Sequence, residues 1–315
     1  MQRFSAPASR SRPRLLVLEL WGLGDVALAI PFLQAATRHA EVSLLAKPHA
    51  APLLARFCPD VNLVACALPW TAHRRKYELH RWPWPDLLRT GRQLRARQFD
   101  AVVSARPDPR EHALMALTGA VLRAGFSRRG SGVFLTDRLF RPHSPHRADY
   151  WHTIARHFGW TVPPPALTSP ARPQRVLIHT GAAQPTRQWP RPHFDEIAAR
   201  LRAAGHAVIV IDENSGDLDH LINATAGADC FIGNDSGPGH VAALLGVPTF
   251  TIFGAQLARN FHPVHPGAAW IDGEPCPYKP CHDYCRFPEP FCIRRVAVDR
   301  VWARLFPWLE NQRSS

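Results

Sequence analysis

The chain has 315 residues, a hydrophobic content of 46% and a formal net charge of +13. This length suits two domains of about 150 residues better than a single hydrophobic core. The sequence has no run of about 18 apolar residues, which argues against a transmembrane helix, and the apolar run at 15–20 is too short for a signal peptide. Seven cysteines, an odd number spread unevenly, indicate reduced thiols. We therefore expect a cytoplasmic protein.

The excess positive charge lies entirely in the first half of the chain. Residues 1–165 contain 24 Lys and Arg against 11 Asp and Glu, whereas residues 166–315 contain 14 of each class. A basic half indicates an anionic partner, which is a nucleic acid, an acidic membrane surface or a phosphorylated substrate. An arginine-rich surface without such a partner is the alternative.

The first half begins with a tail and a nucleotide-fold pattern. Residues 1–14 are rich in Ser, Pro and Arg and are predicted to be disordered, and a domain is predicted over 15–162. A strand at 15–20 is followed by a G-x-G-x-x-A pattern and a helix at 26–39. A NAD site would need Asp or Glu after the second strand, where the sequence has Lys47, so a dehydrogenase is not favoured.

Asp25 follows this glycine turn and lies in the first turn of the predicted helix. The helix dipole keeps a carboxylate ionised there, at the edge where α/β sheets bind ligands, so Asp25 could accept a proton. Capping of the helix explains the same residue equally well. Spacing alone leaves both interpretations open.

Residues 74–85 interleave basic and aromatic side chains, and Lys76 is one of the basic residues. This pattern is typical of a membrane interface or of a site for a lipid phosphate. A surface helix whose Trp side chains cover the core, or a site for single-stranded nucleic acid, would show the same pattern.

Arg106 and Arg110 follow a predicted strand at 99–104. Two arginines at the carboxyl end of a strand could hold the phosphate or carboxylate of an acceptor. They could equally form ion pairs with Asp108 and Glu111. The sequence does not decide between these two roles.

A helix is predicted over 112–124. Residues 161–173, further along the chain, mark the boundary between two domains. Five of these thirteen boundary residues are proline, which cannot continue a helix or a central strand, so a Pro-rich linker is predicted over 163–173. A second domain is predicted over 174–295. An amphipathic helix and a tail follow over 296–315.

The stretch 231–254 predicts a strand, a tight loop, a helix, a turn and a second strand. Asp235, Ser236 and Gly237 stand before the helix, whose free N–H groups and dipole favour a phosphate or a carboxylate. A capped Ser/Asx turn needs the same residues and no ligand. Because both halves place polar loops after strands, we expect two α/β domains that face each other across a cleft.

Four cysteines lie close together near the end of the second domain, namely Cys276, Cys281, Cys285 and Cys292. Four thiolates in one region could hold zinc. The segments between them are four, three and six residues long and include no C-x-x-C pair, so zinc is not favoured. No metal is predicted.

Three blocks of the sequence resemble glycosyltransferase family 9, the bacterial lipopolysaccharide heptosyltransferase type. The family's N-terminal block is similar to LGDVALAIPFL within 15–33, and the start of its second domain is similar to HTGAAQPTRQWPRPHF at 179–194. Its signature resembles GNDSGPGHVAALLGVPTFTIFG at 233–254. The resemblance spans both predicted domains.

The resemblance implies a GT-B architecture, in which two Rossmann-like α/β domains hold the acceptor and a nucleotide-sugar, typically ADP-heptose. The implied activity is metal-independent transfer of a sugar, with inversion, to a lipopolysaccharide core or a related glycan. Among sugars, heptose is the one that the resemblance favours. No cofactor is implied. The implied partners are the nucleotide-sugar and an anionic glycolipid acceptor, with peripheral contact at the inner face of the cytoplasmic membrane and no nucleic acid.

Carried over by position, the resemblance implies that Asp25 is the general base and that Glu213 holds the donor ribose. Arg187 stands where the family usually has a phosphate-binding Lys. The other expected donor-binding residues are Gly24, Thr180, Gly181, Asp235, Ser236, Gly237 and His240. The expected acceptor-binding residues are Lys76, Arg106 and Arg110.

One departure from the family affects the donor site. Only eighteen residues separate Ile211 from Cys230, so a strand and a helix are predicted to be missing beside the nucleoside pocket. This departure motivates an alternative function, a catalytically silent GT-B-fold protein that binds a nucleotide or another anion. A nucleic-acid-binding protein rests on charge alone.

Overall fold

The computed structural model describes residues 10–72, 78–167 and 174–312. The chain divides into two compact units, Met1–Pro164 and Pro165–Ser315. This division falls inside the predicted linker, whose residues 168–173 lie outside the described residues.

Eleven β-strands occur in the described residues. In chain order they are β1 Arg14–Leu18, β2 Glu41–Ala46, β3 Asn62–Ala65, β4 Ala101–Ser104, β5 Leu122–Gly125, β6 Asp137–Arg138, β7 Arg175–His179, β8 Ala207–Ile211, β9 Cys230–Asn234, β10 Thr249–Phe253 and β11 Ala269–Asp272. The first six belong to the first unit and the last five to the second.

The described residues also form eleven α-helices, five in the first unit and six in the second. In chain order they are α1 Leu23–Ala36, α2 Ala51–Phe57, α3 Trp84–Ala96, α4 Pro109–Leu117, α5 Arg147–His157, α6 Arg191–Ala203, α7 Leu218–Ala226, α8 Gly237–Leu244, α9 Ala258–Phe261, α10 Phe291–Arg294 and α11 Val298–Asn311. Strands and helices alternate through most of each unit, as the sequence pattern predicted.

The sheet of the first unit is parallel, with the strand order β3-β2-β1-β4-β5-β6. Its central strand β1 pairs on both sides, Leu15 lying opposite Val42 in β2 and opposite Ala101 in β4. A strand covered on both faces needs a continuous apolar run rather than an alternating one, which explains the sequence RLLVL. The chain order reverses between β1 and β4, and α/β sheets bind ligands at the carboxyl ends of the strands at such a point.

The sheet of the second unit is also parallel, with the strand order β11-β10-β9-β7-β8. Its order reverses between β7 and β9. The short segment after β8 forms only the helix α7 before β9 begins, so no described strand lies outside β8 and the first sheet's β3 has no counterpart. This arrangement agrees with the strand predicted to be missing from that segment.

The C-terminal helix α11 belongs to the core of the second unit. Val301, Leu305 and Leu309 are fully buried on one side of α11. They pack in one cluster with Phe194 of α6 and with apolar side chains of β7, β9 and β10. Burial of each such side chain contributes about 1.5–3 kcal/mol, so the helix predicted at the start of 296–315 is an integral part of this unit.

The prediction of a disordered tail over 1–14 is wrong for the last residues of that range. Arg10 forms an ion pair with Asp100 at 3.1 Å, Arg12 donates to the backbone oxygen of Thr37, and Arg14 is the first residue of β1. Contacts with residues far along the chain order this segment, and local sequence patterns do not report such contacts. The fold therefore begins before residue 15.

The prediction of a helix over 112–124 is also wrong for the second half of that range. The helix α4 ends at Leu117, and Gly119 has a φ of 73°, which glycine adopts readily and which ends a helix. Leu122 then begins β5. The apolar side chains after Gly119 therefore belong to a buried strand.

Candidate functional site

Asp25 lies at the start of α1, beyond the carboxyl end of the central strand β1. Its Oδ2 accepts a hydrogen bond from the backbone N–H of Gly22 at 3.2 Å, and its Oδ1 accepts one from the guanidinium of Arg106. The side chain is only 19% exposed. Asp25 thus caps the helix, which is one of the two alternatives left open by the sequence, and its carboxylate lies at the edge where α/β sheets bind ligands. Its role as a proton acceptor stays a prediction.

Arg106 follows β4 and is held from several directions. Its guanidinium stacks over the ring of Trp21, with 4.7 Å from Cζ to the ring centroid, and its backbone N–H donates to Ser104 Oγ at 3.0 Å. The positive charge faces Asp25 and also the buried carboxyl groups of Glu19 and Glu111. Arg106 therefore stabilises the anionic form of the candidate base.

Two buried carboxyl groups adjoin this ion pair. Glu111 accepts hydrogen bonds from Trp21 Nε1 at 2.7 Å and from Ser104 Oγ at 2.5 Å. Burial, which disfavours the charged form, raises the pKa of Glu111 to about 7. Burial and the nearby charge of Asp25 raise the pKa of Glu19 to about 8. The surroundings of Asp25 can therefore hold protons near neutral pH.

Two further cations interact with Asp25. Arg147 is the first residue of α5, its guanidinium lies 4.9 Å from the ring centroid of Tyr150, and its buried Nε has no hydrogen-bond acceptor among the described residues. Burial and the charge of Arg106 lower the pKa of Arg147 to about 10. Lys47 follows β2, and burial lowers its pKa while Asp25 opposes that shift.

The expected acceptor-binding residues have different surroundings. Arg110 makes a bidentate ion pair with Asp108, at 2.9 Å from Nε and 2.6 Å from Nη2, which is the second of the two roles left open by the sequence. Arg106 pairs with Asp25. Lys76 lies outside the described residues. The structure therefore brings Arg106 to the candidate base and engages Arg110 with its own neighbour.

In the second unit, Asn234 joins the loops that follow the neighbouring strands β7 and β9. Its Nδ2 donates to the backbone oxygen of Thr180 at 2.8 Å, and its Oδ1 accepts from the backbone N–H of Trp189 at 2.9 Å. Asn234 is buried, so these bonds hold the loop containing Thr180 and Gly181 beside the loop containing Asp235.

The loop after β9 leads into the N-terminus of α8. Ser236 is the N-cap residue, yet its Oγ bonds to the backbone oxygen of Asn234 at 3.3 Å and caps no helical N–H group. Gly237 is the first helical residue, and His240 is buried in the first turn. The first N–H groups of α8 therefore stand at the edge of the sheet without a side-chain cap, which is the geometry that binds anions.

Arg187 is oriented by two carboxylates. Its Nε and Nη2 donate to Asp283 at 2.8 and 2.6 Å, and its Nη1 lies 3.6 Å from Asp235 Oδ2. Burial opposes ionisation of Asp283, but the hydrogen bonds and charge of Arg187 outweigh it and lower the pKa of Asp283. A planar guanidinium held in this way presents its charge in a fixed direction beside the loop after β9.

Glu213 lies after β8, in contact with the loop that follows β7. A Cβ at Gly181 would overlap the carboxylate of Glu213, so the close approach requires glycine there. Thr180 and Glu213 line a cavity of about 320 Å³ together with the basic side chains of Arg191 and Arg294. The expected ribose-binding acid thus lines a cavity in the second unit.

The cysteines near the end of the chain are all reduced. Cys276, Cys281, Cys285 and Cys292 line one small, apolar cavity together with Phe287. In the parts of the chain that the structure describes, no group of three or more His, Cys, Asp or Glu residues is arranged to hold a metal ion.

None of the described helices combines the length and the apolar character that crossing a membrane requires.

Comparison with known proteins tests the resemblance found in the sequence. The model of glycosyltransferase family 9 (heptosyltransferase) matches residues 215–288. Lipopolysaccharide heptosyltransferase 1 of Pseudomonas aeruginosa is 24% identical, over 93% of this chain and 97% of that protein. The resemblance to glycosyltransferase family 9 is confirmed. The residues of this chain that the family model matches include the loop from Asp235 to His240 and also Asp283.

Solved structures show the fold of this chain. The crystal structure of the family 9 glycosyltransferase from Veillonella parvula is 19% identical, with a TM-score of 0.73 over 95% of this chain and 98% of that chain. The E. coli heptosyltransferase WaaC with ADP is 16% identical, with a TM-score of 0.70 over 94% of this chain and 99% of that chain. The predicted GT-B fold is confirmed.

Several residues of these sites were not predicted from the sequence as site residues, Lys47 and Asn234 among them. Glu19 stands as a single acid in an apolar strand, a signal that could have been used, and Glu111 was considered only as an ion-pair partner. Arg147 and Asp283 belong to no motif. Asp283 contacts Arg187, a residue 96 positions away, and no local pattern reports that distance.

Proposed function

We propose that this chain is an inverting glycosyltransferase that moves a heptose from ADP-heptose to a lipopolysaccharide core or a related glycan acceptor. The names of its relatives support the donor and the acceptor: one is a lipopolysaccharide heptosyltransferase, and a neighbour of the same fold was solved with ADP. The observation that carries the proposal is the loop after β9, which lies within the family match, precedes the uncapped start of α8 and adjoins Arg187.

In the proposed reaction, Asp25 accepts the proton of the acceptor hydroxyl while that oxygen attacks the anomeric carbon from the face opposite the diphosphate. General-base assistance of this kind contributes about 10²–10⁴-fold. The positive charge of Arg106 keeps the carboxylate ionised until the proton arrives. The bond to the diphosphate breaks as the new glycosidic bond forms, and the sugar configuration is inverted.

The leaving diphosphate gains negative charge in this step. Arg187 and the first N–H groups of α8 supply fixed positive charge and hydrogen-bond donors for it. Asp283 and Asp235 keep the guanidinium in one orientation, so little reorganisation is needed as charge develops. We propose that these protein groups act without a metal ion or a resident cofactor, with Glu213 on the donor ribose.

On the acceptor side, the basic first half suits an anionic glycolipid. Arg147 and Lys47 interact electrostatically with the candidate base, and the Nε of Arg147 has no acceptor among the described residues. We propose that these two cations bind an acidic group near the acceptor hydroxyl. The protein would then work in the cytoplasm, in peripheral contact with the inner face of the membrane, and without a nucleic-acid partner.

A ligand screen followed by an activity assay tests this function. A nucleotide-sugar present at 100 times its dissociation constant stabilises the protein by about 2.7 kcal/mol, so the melting temperature in ADP-heptose should exceed those in UDP- and GDP-sugars. Transfer of labelled heptose to a lipopolysaccharide precursor should follow. Equal melting temperatures in all three donor classes would contradict the proposed donor.

The alternative function, a catalytically silent protein that binds a nucleotide or another anion, rests on the short segment between β8 and β9. The cavity beside Glu213 lies next to the edge strand β8, where a larger sheet would add another strand and helix. If the silent protein is correct, ADP raises the melting temperature while ADP-heptose is neither transferred nor hydrolysed. Turnover at any measurable rate excludes it.

A further inference from the structure

A loop at the outer edge of the first sheet exposes apolar side chains. This loop, residues 127–141, runs from the end of β5 past β6 and is called here the basic apolar loop. Val133 is 73% exposed, Phe134 is 36% exposed and Phe140 is 92% exposed. Single exposed apolar residues are ordinary, but three within eight positions of a short loop form a patch that needs an explanation.

The basic apolar loop is anchored to the unit. Ser131 is buried, and its Oγ bonds to His112 Nδ1 at 2.8 Å and accepts from the backbone N–H of Arg128 at 3.0 Å. Leu135 is buried in the core, and Arg123 Nε donates to the backbone oxygen of Phe134 at 2.7 Å. The backbone is therefore fixed on both sides of Val133, and directly before Phe140 the backbone N–H of Leu139 donates to the backbone oxygen of Gly125 at 2.8 Å. Little ordering entropy then opposes binding through this surface.

Most charges of the loop are positive. Its four arginines are exposed and form no ion pair with the described residues: Arg128, Arg129, Arg138 and Arg141. The single acid of the loop is Asp137, which lies 3.2 Å from His157 and accepts from Thr136 Oγ1. Four positive charges without a neighbouring exposed carboxylate give this surface a strong attraction for anions.

The second exposed apolar surface of this unit has different charges. Trp84 and Leu88 are about half exposed, yet Arg81 pairs with Glu78 at 3.0 Å and Arg89 pairs with Asp86 at 2.8 Å. These carboxylates neutralise the arginines beside the aromatic residues. The stretch predicted from the sequence as a membrane interface is therefore the less cationic of the two surfaces in its described part.

We propose that the basic apolar loop docks the first unit on the surface of an anionic lipid bilayer. Arginines beside a bilayer are attracted by acidic headgroups, while Phe and Val side chains enter the boundary between headgroups and acyl chains. The aliphatic Val133 favours lipid over nucleic acid, because bases stack on aromatic rings. This inference rests on the proposed function in one respect, which is that the proposed glycolipid acceptor lies in a bilayer surface.

Co-sedimentation of the full chain with vesicles tests the loop, without donor or acceptor present. We expect binding to vesicles of phosphatidylcholine with phosphatidylglycerol, weak binding to phosphatidylcholine alone, and loss of binding at high salt. Replacing all four arginines of the loop by Gln should weaken binding at least about 100-fold. Phe140→Ser, which removes the most exposed apolar side chain, should weaken it about tenfold.

The matched control carries Arg81→Gln, Arg89→Gln and Trp84→Ser on the second surface and should bind vesicles as the unmodified chain does. Thermal unfolding checks that every variant is folded. Vesicle binding that survives the four arginine replacements, or that is lost in the control instead, would overturn the proposal. So would loss of single-stranded RNA binding in the loop variants with unchanged vesicle binding. Since no sugar donor is used, a failure here is separate from a failure of glycosyl transfer.

Discussion

The carboxyl edges of the two sheets each follow a strand-to-helix turn, but the pKa values of their carboxyl groups are shifted in opposite directions. In the first unit, the ion pair of Asp25 and Arg106 lies among buried carboxyl groups whose pKa values are raised, Glu19 to about 8 and Glu111 to about 7. In the second unit, Arg187 lowers the pKa of its carboxylate partner, and the start of α8 has no side-chain cap.

This difference agrees with the chemical roles proposed for the two edges. Buried carboxyl groups that titrate near neutral pH suit an edge that receives a proton. A fixed guanidinium and uncapped N–H groups suit an edge that receives negative charge. The folds are alike because parallel strands and crossover helices position both turns, and the chemistry differs because of a few side chains around each turn.

The largest expected effect comes from removing the candidate base. In Asp25→Asn the amide oxygen can still accept the hydrogen bond from Gly22, so α1 keeps its cap while the group no longer accepts a proton. We expect kcat to fall about 10³-fold. Steady-state kinetics with ADP-heptose measures this, and the thermal shift with ADP should be unchanged.

Asp86→Asn is the matched control, because Asp86 also lies in the first turn of a helix and bonds an arginine, yet is exposed. Its kcat should equal that of the unmodified chain. Normal turnover by the Asp25→Asn enzyme would contradict the proton-accepting role of Asp25. Asp25 would then act only as a helix cap.

Loss of the cation beside the base should have the next largest effect. Arg106→Gln leaves Asp25 and two buried carboxyl groups without their shared positive charge. We expect kcat to fall about 10²-fold and the acidic limb of the pH–rate profile to move to higher pH. Removing one partner of this partly buried ion pair also leaves Asp25 without its counter-charge, so the melting temperature should decrease. A fall in kcat without a moved limb would indicate a purely structural role.

On the second edge, Arg187→Gln should raise the KM for the donor about tenfold with a smaller change in kcat. Because Asp283 acts by orienting Arg187, adding Asp283→Asn should cause little further loss, and a double-mutant cycle measures this coupling. Arg200→Gln is the control, since Arg200 is also held by two carboxylates but lies on α6. Additive effects of Arg187 and Asp283 would show that they act separately.

The smallest effect concerns the pH dependence of stability. Burial raises the pKa of Glu111 from 4.5 to about 7, so the folded chain keeps a proton that the unfolded chain has released between these values. The contribution of Glu111 to the free energy of unfolding is fully present below about pH 4.5 and is lost as the pH rises to about 7.

Glu111→Gln should therefore flatten the decline of unfolding free energy with pH by up to about 1.4 kcal/mol per pH unit. The amide can still accept hydrogen bonds from Trp21 and Ser104, and Glu19 keeps part of the slope. Urea unfolding at several pH values measures the change. The exposed Glu41→Gln should leave the slope unaltered, and an equal slope in both variants would contradict the buried, proton-binding state of Glu111.

Much of the fold and part of each site followed from the sequence. Apolar runs followed by glycine turns and helical periods predicted two α/β units, and parallel strands bring the loops after them to one edge of a sheet. This reasoning placed Asp25 after β1 and Asp235 after β9, at the strand ends where the structure has them. It failed at 112–124, where a glycine with positive φ separates a helix from a buried strand.

The sequence by itself therefore determined the α/β units, the turns that carry Asp25 and Asp235, and the excess of positive charge in the first half. Only the tertiary structure decided which charges meet. Arg106 reaches Asp25 across 81 positions, and Arg187 reaches Asp283 across 96. The pKa values of Glu19 and Glu111 depend on burial by packing, which local patterns do not encode. Hydrogen-bonding periodicity is local, whereas desolvation and charge pairing depend on residues brought together by the whole fold.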